Sequence, residues 1–224
     1  MKVKKLKISI PSSLSEIKLS QYQKFIKTTK DSEDDNFVAR QMVGIFCDIP
    51  DSVVGQISAK DYDDIIKTIT ETLNIEPKFK TTFTLDGVEY GFIPNMSEDI
   101  TVDEKADLDT FLKDVKDMHK AMAVLYRPIK IKRSNGYLIE DYEAKGNGLD
   151  VSLDIALGAN VFFSTLMNDL LNYTQNFINQ EVAHNPKVSQ ILEQNGVGIT
   201  AFTNSLETTF SSLMKLVNLN YQKH

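Results

Sequence analysis

"FKTTFTLDGVEYGFIP", residues 79–94, decides the fold, because here the apolar pattern changes from a helical period to the alternation of a strand. Its centre is Asp86-Gly87, a dipeptide that accepts the positive φ angles of a tight hairpin turn. The reading is two strands, Phe79 to Leu85 and Val88 to Phe92, closed by Pro94 and the polar residues Asn95 to Ser97. A second hairpin signal lies downstream in "IKIKRSNGYLIEDY", centred on Asn135-Gly136, with Ile129, Ile131, Tyr137 and Ile139 available for pairing. The opening "KVKKLKISI" also alternates, with Lys2, Lys4, Lys5 and Lys7 on an outer face that discourages edge pairing with another chain.

Helices fill the space around these strands. Before the first hairpin, "QYQKFIKTT", capped by Ser20, "NFVARQMVGIFCDI", stopped by Pro50, and "AKDYDDIIKTITETLN", capped by Ser58, repeat apolar residues at helical spacing. Between the hairpins, Leu108, Phe111, Val115, Met118, Met122 and Leu125 form one stripe, which predicts a single long helix from about Asp107 to Arg127 that Pro128 ends. The predicted fold is therefore α+β and predominantly helical, with a small antiparallel sheet of two hairpins and an N-terminal strand. Residues 1–149 form the mixed core, in the order strand, three short helices, hairpin, long helix, hairpin. The segment "EAKGNGLD" is a flexible joint, and residues 150–224 are a helical C-terminal subdomain or arm.

That last region is low in charge: its acids are Asp150, Asp154, Asp169, Glu181, Glu193 and Glu207, and its lysines Lys187, Lys215 and Lys223. Helices faced with asparagine, serine and threonine need little desolvation, so they can pack on a partner as well as face water. The whole chain, 224 residues with a formal net charge of -6, is not a general nucleic-acid binder, whose affinity comes from Lys and Arg on phosphates. The least polar run, Ile155 to Met167, is too short to span a bilayer, which needs roughly 20 residues. No secretion signal is visible, and the single cysteine, Cys47, sits in an apolar pattern as a core residue, which fits a reducing cytoplasm.

Chemical signatures are sparse. His119, His184 and His224 are separated, and the sequence has no paired-cysteine spacing, phosphate-binding glycine loop or nucleophile elbow. The acids Asp61 to Asp64 lack calcium-loop spacing, and Asp103, Glu104, Asp107 and Asp109 crowd a helix start, where negative charge meets the positive end of the dipole. No cofactor, metal or catalytic residue is assigned. In "DMHKAMAVLYRP" (Asp117 to Pro128), Tyr126 and Arg127 have an apolar body and a polar end, the kind of residue enriched at interfaces. Arg127 can equally satisfy the last helix carbonyls or pair with an acid such as Glu140.

Three stretches, "SEIKLSQYQKFI" (Ser15 to Ile26), "LDGVEYGFIPNMSEDITVDEKADLDTFL" (Leu85 to Leu112) and "MHKAMAVLYRPI" (Met118 to Ile129), resemble virion and tail-assembly proteins of tailed bacteriophages. The resemblance implies a non-enzymatic role: a tail or baseplate assembly chaperone, or a structural subunit of tail, neck or baseplate. Partners would be other tail or virion proteins, such as a tape-measure or tail-tube protein, or further copies of the chain. The place would be the host bacterial cytoplasm during infection, with retention in the virion for a structural subunit. Candidate contacts are then an exposed Tyr126 and Arg127, together with Phe162, Phe163, Tyr173 and Phe177 on the C-terminal helices. Nucleic acid and membrane are not expected partners.

Overall fold

The structure is a computed structural model that describes residues 7–94, 100–143, 148–163 and 165. It is an α+β fold, predominantly helical, around one antiparallel sheet of four strands in the order β1-β2-β3-β4. The strands are β1 (Thr82–Leu85), β2 (Val88–Phe92), β3 (Tyr126–Arg133) and β4 (Gly136–Ile139). Asp86 and Gly87, at φ of 50° and 81°, make the first turn as the dipeptide predicts.

Four helices precede the sheet: α1 (Leu19–Thr29), α2 (Asp35–Phe46), α3 (Asp51–Val54) and α4 (Ala59–Leu73). Asp34 caps α2 by accepting from the Asn36 and Phe37 amides, and Ser58 caps α4 by accepting from Asp61. Pro50 both stops the preceding chain and opens α3, a short helix beyond the three that periodicity predicts. The N-terminal strand is not found: residues 7–12 carry no strand, and residues 1–6 lie outside the described residues. Pro11 has no N–H for a ladder, and its carbonyl instead accepts from the Thr72 hydroxyl of α4 at 3.2 Å.

The single long helix is also corrected. Its span divides into α5 (Val102–Phe111), a 3-10 turn (Val115–Asp117) and α6 (Met118–Leu125). Asp114 causes the break by turning its side chain onto the Lys116 amide, a local bond that competes with the helical ladder. The apolar stripe survives, since Leu108, Val115, Met118, Met122 and Leu125 are all buried.

Residues 149–163 belong to this same core. Helix α7, described over residues 153–163, buries Leu153, Ile155, Ala156, Leu157 and Ala159. Just before it, the chain pairs with the start of α1: Leu19 donates to the Val151 carbonyl at 2.8 Å and Leu153 to the Ile17 carbonyl at 2.7 Å. Asp150 supplies the carboxylate at the α1 N-terminus, accepting from the Ser20 amide at 2.8 Å and its hydroxyl at 2.7 Å. Ser20, predicted as the cap, is thus the residue being capped. Gly158 lets α7 lie directly on the chain entering β1, where an added Cβ would stand 2.5 Å from the Lys78 carbonyl oxygen.

Candidate functional site

Strand alternation sets the site. In β3, Tyr126 pairs with Phe92, Arg127 with Gly91 and Pro128 with Tyr90, so Tyr126 and Arg127 leave opposite faces of the sheet. The Tyr126 face is apolar: its ring meets Phe83 at 5.1 Å and Phe92 at 5.2 Å, both edge-on. Its hydroxyl donates to the Lys80 carbonyl at 2.7 Å, and burial lifts its pKa far above the ordinary tyrosine range. On the other face Gly91 has no side chain, which lets the Tyr137 ring lie across it and donate to the Phe92 carbonyl at 2.9 Å.

Arg127 projects from that second face toward α5. There, Thr101 and Glu104 form a capping box: the Thr101 hydroxyl accepts from the Glu104 amide at 3.2 Å, and Glu104 Oε2 accepts from the Thr101 amide at 2.6 Å. The box consumes one carboxylate oxygen. The other, Oε1, lies 2.8 Å from Arg127 Nη1 in an ion pair whose side chains are 1% and 11% exposed, Glu104 and Arg127 respectively. The charges attract at that distance although no aligned N–H···O bond forms, and among the described residues Arg127 Nε also has no hydrogen-bond partner.

This pair forms part of the wall of an open cleft of about 560 Å³ between α5 and the segment that follows β4. Leu138 and Ile139 supply its apolar lining; Asp103, Glu140 and Asp141 supply exposed carboxylates. Tyr142 closes one side and donates to Asp107 Oδ2 at 2.5 Å. Burial, followed by that bond and the charges of Asp107 and Glu104, pushes the Tyr142 phenol up to about 12, so it remains a protonated donor at any physiological pH. The arrangement is suited to holding a ligand by charge and hydrogen bonding.

The sequence-predicted contacts fall elsewhere than expected. Neither Tyr126 nor Arg127 is the exposed side chain predicted: Tyr126 is 1% exposed, and Arg127 turns inward to Glu104 rather than to Glu140 or the helix carbonyls. Phe162 stacks on Phe79 at 4.4 Å and Phe163, itself buried, approaches Phe92 at 6.1 Å, so both help seat α7 on the sheet. Tyr173 and Phe177 lie outside the described residues. His119 holds the chain together locally: its Nδ1 is 3.1 Å from Gln23 Nε2, and its carbonyl accepts from the Leu149 amide at 2.7 Å. Cys47 is buried, which raises its thiol to about 11.

Glu104 lies at a helix start as its place among the acids predicts, but its pairing with Arg127 was not foreseen. Its signal was the Thr101-x-x-Glu104 spacing, which fixes a carboxylate on the first helical turn with one oxygen to spare. Among the described residues, no group of three or more His, Cys, Asp or Glu side chains is arranged to hold a metal ion. Likewise, no described helix is long and apolar enough to cross a membrane. The chain matches no protein-family profile, no curated protein and no solved structure.

Proposed function

We propose that this protein is a bacteriophage assembly protein, a tail or baseplate assembly chaperone that works through protein–protein contacts in the host cytoplasm. The observation that carries the reading is the docking of residues 149–163. Asp150 caps α1, and Val151, Leu153, Ile155 and Ala156 are at most 2% exposed, so the low-charge region starts from a fixed base in the core. A segment with so few charges needs little desolvation to cover a partner's apolar surface. The resemblance of three stretches of the chain to tail-assembly proteins supplies the biological setting.

A second reading is a structural virion subunit. Val88, Ile131 and Leu138 on the two hairpins are 44%, 51% and 38% exposed, and Ile131 pairs directly with Leu138. An adjoining apolar pair in water suits a permanent interface as well as a transient one.

Quantitative mass spectrometry of infected-cell lysate and purified particles from one culture separates the two. Abundance in lysate with absence from particles supports the chaperone; a fixed copy number per particle supports the subunit; absence from both defeats each. Pull-down of tail proteins should weaken when the chain is cut after residue 163. A cut after residue 149 is the wrong test, because it strips buried residues from the core.

A further inference from the structure

We propose that β4 pairs edge to edge with β4 of a second copy of this chain, giving a two-fold symmetric dimer with one continuous sheet. The inference deepens the reading that the protein acts through protein contacts, and it names the partner.

Backbone geometry opens this edge. β4 is an outer strand of the sheet. The Glu140 amide donates to the Pro128 carbonyl at 2.9 Å, so by the alternation of an antiparallel ladder Gly136 and Leu138 also turn their backbone groups toward β3. Tyr137 and Ile139 then turn theirs outward, and among the described residues those groups have no backbone partner. Proteins blunt such edges with prolines or charges, and β4, Gly136–Ile139, has neither. At the opposite edge, α7 lies on the chain entering β1. Two antiparallel copies centred on Leu138 set Tyr137 opposite Ile139 of the partner subunit, and each such pair exchanges both of its bonds. Leu138 meets its counterpart on the axis. Ile131, paired with Leu138 across the hairpin, widens the apolar strip; the two side chains are 51% and 38% exposed, so their burial favours association.

Charge selects a second copy as the occupant. Lys130 and Lys132 are matched within the chain by Asp141 and Glu89. Among the described residues, neither Arg133 at the hairpin tip nor Glu140 at its base has an ion pair. Arg133 pairs with Gly136, and the antiparallel register places Glu140 of the partner subunit opposite Gly136 on the same face. Gly136 has no side chain, and a Cβ there would meet nothing within 4 Å. The arginine therefore has open space to cross toward that carboxylate, two strand spacings or about 10 Å away between backbones. Symmetry makes the contact twice. Parallel pairing instead sets Glu140 beside Glu140 and Arg133 beside Arg133, where like charges repel.

The test begins with sedimentation equilibrium of the full chain, which should show a mass that rises with concentration toward twice the monomer's 25.3 kDa. Leu138→Lys sets like charges together on the axis and should weaken the dimer at least about tenfold while keeping the parent's circular dichroism. Glu140→Arg should weaken it as well, and Glu140→Arg combined with Arg133→Glu should restore it. Leu138→Cys reads the register: facing Cα atoms of a non-hydrogen-bonded pair lie about 4.5 Å apart, within disulfide range. Mild oxidation should link two copies of that variant, but not of Val88→Cys, whose parent side chain on β2 is 44% exposed. The native Cys47 is buried and does not compete. A monomer at millimolar protein overturns the proposal. A dimer that Leu138→Lys leaves intact, a charge swap that does not restore association, or oxidation that links Val88→Cys as readily as Leu138→Cys does the same. A dimer of a protein absent from both lysate and particles sinks the assembly reading alone; a monomer in a proven assembly protein sinks this inference alone.

Discussion

Two arginine–carboxylate pairs sit in the two halves of the molecule and behave as opposites. Arg40 grips Asp51 between α2 and α3 with its Nε and Nη2, the latter at 2.9 Å, and the side chains are 42% and 65% exposed. Arg127 and Glu104 are 11% and 1% exposed, yet among the described residues neither Glu104 Oε1 nor Arg127 Nε makes an aligned hydrogen bond. Good geometry in water contributes little, because solvent and lost side-chain freedom cancel it. Poor geometry in the wall of a cleft matters far more, since each partner is the main compensation for a charge removed from water.

The strongest way to break this comparison is Glu104→Ala, which should lower stability by about 3–5 kcal/mol in denaturant unfolding by stranding Arg127. Replacing both residues, Glu104→Gln with Arg127→Met, should recover most of that loss. If the single variant is neutral, the pair is solvated and the contrast fails. Next in size is Gly158→Ala on α7. Alanine gains up to about 1 kcal/mol of helix propensity, but its Cβ meets the Lys78 backbone, an overpacking cost of about 1–3 kcal/mol. A net loss in melting temperature is expected.

High pH should weaken both halves, the helical one through Tyr22 and Cys47 and the sheet side through Tyr142. Burial raises Tyr22 from 10.0 to about 12 and Cys47 from 9.0 to about 11, so the fold holds these protons more tightly than the unfolded chain does. Their contribution is full below pH 9 and is lost as pH rises from there toward 12. Unfolding midpoints should fall across that window, and Ellman's reagent should react with native Cys47 far more slowly than with the unfolded chain. A fast native reaction would place the thiol at the surface. Smallest of all is Asp51→Asn. Arg40 holds the Asp51 carboxyl below the usual range, so any stabilisation exists above that range and fades on acidification; at neutral pH the variant should unfold with the parent midpoint.

What the sequence made legible was local. Asp86-Gly87 and Asn135-Gly136 place both hairpins, and Ser58 places the start of α4, because turn and cap chemistry acts over two to four residues. The broken helix hid behind an unbroken apolar stripe: Asp114 interrupts the ladder without moving Val115 or Met118 from the core. Arg127 was read as a helix end because Pro128 follows it, yet the chain is already extended at Tyr126. Its partner Glu104 and the Ser20–Asp150 bond are tertiary pairings, and periodicity carries no information about which acid meets which base.

The bond from Ser20 to Asp150 spans 130 residues, and that separation has a temporal meaning. A ribosome adding about 5–20 residues per second delivers Asp150 roughly 7–26 s after Ser20. Throughout that interval the first helix lacks its anionic end and the core lacks Leu153 and Ala156. The described core therefore remains incompletely assembled during synthesis and is completed only as the α7 residues leave the exit tunnel.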